Sequence, residues 1–171
     1  MLKNQLSYGN NNKVIALSET EVAKLFVGDT RSDIGSEAEK LQFANNVNDL
    51  LAKFHRLDYD EDNKWEMLVM ERLYPIDYRA VEFEKRQLIF EVFEDEINQL
   101  HKAGFVHRDI KRPSNISGFL YDNILLTNKG LRLIDCGISA LKTSVGEKIF
   151  SKYLENELKE VEEFKTFFLN R

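Results

Sequence analysis

The chain contains 171 residues, of which 43% are hydrophobic and 31% are charged, and its formal net charge is −5. This length suits one domain or two small lobes, and the acidic balance argues against a general nucleic-acid-binding protein, which would need basic patches for phosphates. Cys136 is the single cysteine, so an internal disulfide is excluded and a reducing compartment fits. No apolar run approaches the roughly 20 residues that span a bilayer, and the N-terminus has no apolar stretch of the signal-peptide type. We therefore expect a cytoplasmic protein that has no nucleic-acid or membrane partner.

The first predicted elements form a β-hairpin. Lys13–Leu17 and Val22–Phe26 are both rich in β-branched and apolar residues, and Ser18–Thr20 between them suits a turn. The next segment, Gly28–Ser36, is rich in Gly, Asp and Ser and is expected to be a loop.

A helix is predicted from Glu37 to Val47. Ser36 is a favourable N-cap residue, and Glu39 three positions later completes a capping box. Ala38, Leu41 and either Ala44 or Asn45 would form its inward face.

Two more strands are predicted at Leu50–Tyr59 and Trp65–Leu73, on either side of an acidic turn. Pro75 then marks a break in the chain. The sequence thus predicts a strand-rich first part with one helix, followed by a mainly helical second part.

The second part contains two predicted helices and a small hairpin. Apolar residues at helical spacing define the first helix, which Gly104 would end as a C-terminal cap: Val81, Leu88, Val92, Phe93, Ile97 and Leu100. Asn123–Leu126 and Leu131–Ile134 form the hairpin. A second apolar series defines an amphipathic C-terminal helix that packs on the core: Phe150, Leu154, Leu158, Val161, Phe164 and Phe168.

Three motifs carry the chemical information. They are Val106–Lys111 (VHRDIK), Asp122–Thr127 (DNILLT) and Leu133–Gly137 (LIDCG), in that order and with short gaps. Together they place an acid, a lysine, an asparagine and a second acid on loops next to hydrophobic strands. These are the groups needed to transfer a phosphoryl group from a metal-bound nucleotide to an acceptor hydroxyl.

In this order the motifs resemble those of the protein kinase superfamily, and the resemblance runs from about Tyr8 to Ser139. It implies an α+β, bilobal kinase-like fold in one domain spanning residues 1–171. The small β-rich N-lobe would cover about 1–73, the hinge about 71–75, and a shortened helical C-lobe about 76–171. The implied cofactors are ATP and Mg²⁺, with Mn²⁺ as a substitute.

The resemblance also implies roles for individual residues. Asp109 would accept the proton of the substrate hydroxyl, and Lys111 would lie beside the γ-phosphate. Asp135 would bind the metal. The second metal ligand would be Asn123, which makes Arg112–Tyr121 an insertion; the alternative is Asn115, one residue later than the family's spacing.

The upstream residues match the family less closely. Lys24 resembles the strand lysine that contacts the α- and β-phosphates, and Glu37 resembles its helical partner, with Glu39 as the alternative. Tyr8–Val14 holds one glycine, Gly9, where the family's phosphate loop has three. The remaining nucleotide contacts would come from Val14, Val22 and Leu125 around the adenine, Met70 as gatekeeper, and the hinge residues Glu71 and Leu73.

The final part of the chain departs from the family. Only 34 residues follow Gly137, and no Ala-Pro-Glu sequence occurs. The chain therefore resembles minimal kinases, such as those that bacteria deliver into host cells, or small atypical kinases. Arg108 would ordinarily meet a phosphorylated residue of the activation segment, for which Thr143 and Ser144 are candidates.

Three functions are compatible with these residues. The first is an ATP-dependent kinase that acts on a protein Ser or Thr hydroxyl, with an activating protein partner among the expectations. The second is a pseudokinase that binds a nucleotide or a partner. The third is a small-molecule kinase built on the same scaffold.

Overall fold

The computed structural model describes residues 5–8, 12–26, 33–112 and 120–170. They form a mixed α/β structure with a β-sheet in the N-terminal region and a largely helical C-terminal part. Among the described residues, no helix is both long enough and apolar enough to cross a membrane. The division of the chain into two lobes joined at residues 71–75 stays a prediction.

The N-terminal region is a five-stranded antiparallel sheet with the order β1-β2-β3-β5-β4. Its strands are β1 (Gln5–Tyr8), β2 (Asn12–Ala16), β3 (Glu21–Phe26), β4 (Phe54–Asp60) and β5 (Trp65–Glu71). The predicted hairpin is present as β2 and β3, and the Ser18 hydroxyl accepts the backbone N–H groups of Thr20 and Glu21 in its turn. Alternation along the strands gives the sheet two apolar faces, and the face that carries Val22 and Met70 joins the main core.

The third predicted strand, Leu50–Tyr59, starts too early, because the observed strand β4 begins at Phe54. The preceding residues pair with the small C-terminal hairpin instead: Ala52 N donates to Leu133 O at 3.0 Å, and Leu133 N donates to Leu50 O at 2.8 Å. Leu50 and Leu51 are fully buried. Their apolar pattern therefore reflects a connection between the two parts of the chain.

The helix after β3, α1, spans Ile34–Asn45, and the predicted capping box at Ser36 and Glu39 is wrong. Asp33 is the N-cap, and its carboxylate accepts the N–H groups of Gly35 and Ser36. Aspartate caps a helix as well as serine does, so the earlier residue takes the role. The earlier start places Glu37 in the first turn with its side chain buried.

The C-terminal part contains a 3₁₀ turn and three helices, with four short strands between them. They are the 3₁₀ turn (Tyr78–Ala80), α2 (Phe83–Ala103), β6 (Phe105–Val106), β7 (Ile124–Thr127), β8 (Gly130–Leu133), β9 (Ala140–Leu141), α3 (Lys142–Val145) and α4 (Glu147–Leu169). The predicted hairpin is present as β7 and β8 with its ends shifted by one residue. Gly104 ends α2 with φ 98°, as predicted, and a Cβ there would lie 3.1 Å from the Lys142 Cβ.

Two apolar faces differ from their predictions. On α2, Leu88 and Val92 are 63% and 60% exposed, because the inward face follows Phe90, Phe93, Ile97 and Leu100 and lies on the other side of the helix. On α4, Leu158 is 46% exposed, and its neighbour Glu157 faces the interior. The remainder of α4 packs on the core as predicted, with Phe164 against Phe90, Phe93 and Tyr121.

Candidate active site

A buried ion-pair cluster joins the sheet, α1 and the third motif. The Lys24 ammonium on β3 lies 2.8 Å from Glu37 Oε1 and 2.8 Å from Asp135 Oδ1. The side chains of Lys24 and Glu37 are 5% and 1% exposed, whereas that of Asp135 is 41% exposed. Lys24 therefore pairs with Glu37, and Glu39 faces the solvent.

Burial and pairing act in opposite directions on these charges. Burial raises the pKa of Glu37 above its usual range although Lys24 opposes this. Burial alone would also raise the pKa of Asp135, but Lys24 holds it below its usual range. For Lys24 itself, the two carboxylates outweigh burial and raise the pKa. Asp135 is therefore a carboxylate at neutral pH, and Lys24 is an ammonium.

The first and second motifs are joined through an asparagine. Asn123 Nδ2 donates to the backbone oxygen of Asp109 at 2.9 Å and to Asp109 Oδ2 at 2.8 Å. Asn123 is 2% exposed, so this pair holds the Asp109 carboxylate in one orientation. Asn115, the alternative, lies outside the described residues, as does most of the predicted insertion Arg112–Tyr121.

The motif loop, which we define as His107–Lys111, has a constrained backbone. Arg108 adopts φ 69°, and Asp135 in the third motif adopts φ 60°. Such left-handed conformations are uncommon for residues with a side chain and persist where the surroundings fix them. His107 Nε2 bonds the Ile134 oxygen at 3.0 Å, and the Ser139 hydroxyl donates to the His107 oxygen at 3.0 Å, so the first and third motifs are tied together.

A buried glutamate of α4, absent from the sequence-based prediction, anchors the motif loop. Glu157 is 1% exposed and accepts the backbone N–H groups of His107 and Arg108, while His101 Nε2 lies 2.9 Å from its Oε1. Burial alone would raise the pKa of Glu157, but the His101 hydrogen bond leads the effects that hold it below its usual range. The sequence did hold one signal for this role, because Glu157 is a charged residue at an inward position of the otherwise apolar face of α4.

Lys111 is directed away from the ion-pair cluster. Its ammonium pairs with Glu163 on α4, which raises the pKa of Lys111. The adjacent Glu160 has a buried Oε2 atom, and burial, together with the Glu157 carboxylate, raises its pKa to about 7. The structure therefore brings Lys24, Glu37 and Asp135 into one cluster and Asn123 and Asp109 into a pair, and it places Lys111 against α4.

Cys136 occupies the position between Asp135 and Gly137. Its side chain is buried, and its Sγ lies 3.6 Å from the Glu37 backbone oxygen. Burial raises the pKa of the thiol above its usual range. Cys136 is therefore a small packing residue rather than a reactive thiol.

The predicted adenine contacts lie on the inner face of the sheet and on β7. Val22 and Met70 are opposite one another in the β3–β5 register, and both are buried. Val14 on β2 is half-buried and packs against the same core, and Leu125 is half-buried between the core residues Ile124 and Leu126. Gly9 lies outside the described residues.

The predicted hinge residues Glu71 and Leu73 are half-buried, and a cavity of about 500 Å³ adjoins them. Glu71 N donates to Lys53 O at 2.8 Å, and its carboxylate lies 2.7 Å from Arg132 Nη2. The cavity is lined by the β2–β3 turn, the start of β4, residues 71–74 and the β7–β8 turn. Its lining excludes Lys24, Asp109, Asn123 and Asp135, so this cavity is separate from the ion-pair cluster.

The donor set is suited to a hard divalent cation. Asp135 would supply a carboxylate oxygen and Asn123 an amide oxygen, which are ligand types that Mg²⁺ prefers. Among the residues that the structure describes, no group of three or more His, Cys, Asp or Glu side chains could hold a metal ion. Mg²⁺ usually binds through one or two carboxylates together with water and nucleotide phosphates, so the donor set fits a metal that arrives with a nucleotide.

These contacts, together with the five-stranded sheet and the helical part behind it, define a kinase-like fold. A solved structure that matches the chain is that of PK-1, the kinase of Cydia pomonella granulovirus. The TM-score is 0.57 at 20% sequence identity, and the match covers 80% of this chain and 50% of that protein. The chain therefore matches half the length of the viral kinase. No protein-family model and no curated protein matches the sequence.

Proposed function

We propose that this protein is an ATP-dependent phosphotransferase, and specifically a kinase that transfers the γ-phosphoryl group of Mg-ATP to a Ser or Thr hydroxyl of a protein. The observation that carries the proposal is the Lys24 ammonium, held 2.8 Å from both Glu37 and Asp135 on the inner side of the sheet. Burying a cation costs desolvation free energy even when carboxylates pair with it, and binding of nucleotide phosphates is a function that accounts for the arrangement.

Each residue of the cluster has a place in this reaction. Lys24 would stabilise the negative charge of the nucleotide phosphates, and Glu37 would hold its ammonium in position. Asp135 and Asn123 would supply oxygen ligands to Mg²⁺, which when bound neutralises phosphate charge. Mn²⁺ has the same preference for oxygen ligands. Val14, Val22, Met70 and Leu125 would enclose the adenine.

Asp109 is the proposed proton acceptor. Its carboxylate is oriented by Asn123 and can receive the proton of the acceptor hydroxyl as that oxygen bonds to the γ-phosphorus. The bond between the γ-phosphorus and the bridging oxygen breaks, and ADP leaves with the electron pair. Lys111 would contact the γ-phosphate only after its ammonium leaves Glu163.

Phosphoryl transfer is tested with the purified full chain, radiolabelled Mg-ATP and a cell lysate divided into protein and low-mass fractions. We expect label in protein. Asp109→Asn should lower the transfer rate about 10²- to 10⁴-fold, which is the usual contribution of a general base. Asp62→Asn, an equivalent change in an exposed turn, is the matched control and should keep the wild-type rate. Label confined to the low-mass fraction would instead indicate a small-molecule kinase.

The pairing of Lys111 with Glu163 favours a second candidate, a pseudokinase that binds nucleotide or a partner without transfer. A thermal-shift titration with Mg-ATP separates binding from catalysis. Ligand at 100 times its Kd should stabilise the fold by about 2.7 kcal/mol. Stabilisation without any transfer would support the second candidate, and the lack of both would contradict nucleotide binding altogether.

A further inference from the structure

The guanidinium of Arg108, in the motif loop, is held by two contacts, neither of which is with a carboxylate. Its guanidinium carbon lies 3.9 Å from the ring centroid of Tyr153 on α4, and its Nη1 donates to the Ile138 oxygen at 2.8 Å. Among the described residues, no Asp or Glu forms an ion pair with Arg108. A guanidinium stacked on an aromatic ring is a stabilising arrangement in its own right. The side chain thus joins the motif loop to α4 and to the segment after Gly137.

The backbone of the same residue is held by the same helix. Arg108 N donates to Glu157, which lies one turn after Tyr153 on the same face of α4. Arg108 adopts the left-handed conformation, φ 69°, with its N–H bonded to Glu157 and its guanidinium over Tyr153 on this face. One helix therefore fixes both the main chain and the side chain at this position.

The candidate phosphorylation sites form no hydrogen bond with Arg108 among the described residues. Thr143 and Ser144 lie on α3 and are exposed, whereas the guanidinium of Arg108 already has two partners. A phosphate would have to displace the Tyr153 ring or the Ile138 oxygen to bind there.

We propose that Tyr153 holds Arg108 in place of a phosphorylated residue, so that the motif loop is ordered in the unphosphorylated chain. The consequence for activity rests on the phosphotransferase function proposed above: transfer would need no phosphorylation at Thr143 or Ser144. Tyr153 is a positioning residue in this proposal, because it acts on Asp109 through Arg108.

The test of loop order is hydrogen–deuterium exchange of the peptide that covers the motif loop, in phosphatase-treated protein whose intact mass shows no phosphate. Wild type should protect the His107 and Arg108 amides. Tyr153→Leu keeps an apolar side chain but removes the ring, and should speed their exchange about fivefold, the usual size of a partly exposed cation–π interaction. Tyr153→Phe keeps the ring and should match wild type within twofold.

Equal exchange in Tyr153→Leu and wild type would overturn the proposal, and so would a wild-type loop that is unprotected until phosphorylated. In the activity arm, the double change Thr143→Ala with Ser144→Ala should keep the wild-type rate, and Tyr153→Leu should lower kcat with little change in the KM for ATP. A loss above tenfold in the double variant would also overturn it. If wild type transfers no phosphate, the proposed function fails, and the exchange result still decides whether Tyr153 orders the loop.

Discussion

Replacement of the buried Glu157 by Gln tests whether α4 holds the motif loop. The Glu157 carboxylate accepts two backbone N–H groups and bonds His101, whereas an amide offers one oxygen and places its NH₂ against a remaining donor. A hydrogen bond to a charged group contributes about 1.5–3 kcal/mol, and an unsatisfied buried donor costs about 1–3 kcal/mol. Relief from burying a charge offsets part of this loss.

We therefore expect Glu157→Gln to lower the free energy of unfolding by about 2–3 kcal/mol. At about 2–4 °C per kcal/mol for a chain of this size, Tm should fall by about 4–12 °C. The assay is urea unfolding followed by far-UV circular dichroism and by the fluorescence of Trp65, the single tryptophan. Coincident transitions would support two-state analysis.

The difference in the free energy of unfolding between wild type and Glu157→Gln should also depend on pH. The pKa of Glu157 is lowered in the folded state, so its contribution is present above the unfolded value of about 4.3 and is lost as pH falls through the folded value. Wild type and Glu157→Gln should therefore converge in acid. Glu163→Gln on the exposed side of α4 is the matched control and should change stability by less than about 0.5 kcal/mol. If Glu157→Gln were no more destabilised than this control, the anchoring role would be refuted.

Four further substitutions have defined outcomes in the same unfolding assay. Lys24→Met leaves Glu37 buried without its cation, so it should abolish transfer and cost about 3 kcal/mol at pH 7.5. The pKa of Glu37 is raised by burial, so the deficit should shrink as pH falls and the carboxyl takes up a proton; a pH-independent deficit would contradict this. Glu160→Gln should be about 1–2 kcal/mol more stable than wild type at pH 8 and equally stable near pH 4, a free energy reduced here because the side chain is partly exposed. The reason is that a folded pKa of about 7 makes ionisation of Glu160 unfavourable as pH rises. Equal stability of the two proteins at pH 8 would refute this. Gly104→Ala should cost about 2 kcal/mol and Gly130→Ala about 1 kcal/mol, since both have left-handed φ but only the first added Cβ meets another atom; equal losses would mean that the contact is harmless.

Local sequence patterns were sufficient to predict the elements that are fixed by nearby turn or cap residues. The hairpin of β2 and β3, the hairpin of β7 and β8 and the end of α2 at Gly104 all depend on turn or cap residues within a few positions of one another. The pairing of Lys24 with Glu37 was implied by the resemblance to protein kinases, with Glu39 as the alternative, and the structure shows the Glu37 pair.

Other features required the tertiary structure. The sequence pattern predicted Ser36 as the N-cap of α1, whereas in the structure Asp33 caps the helix and Glu37 in its first turn pairs with Lys24. Periodicity on α2 admitted Leu88 and Val92 to the inward face, although the helix is rotated so that both are exposed. An apolar series identifies an amphipathic helix but does not fix its rotation when more than one stripe is apolar.

The sequence alone determined the chemical groups, namely two aspartates, an asparagine and a lysine in a kinase-like order. Only the tertiary structure decided how they are held. Glu157 follows Asp109 by nearly fifty residues along the chain, yet it bonds the backbone beside that aspartate. The local sequence shows only a charged residue among the inward positions of α4, because the donors that offset the cost of burying its charge are brought by folding from another segment.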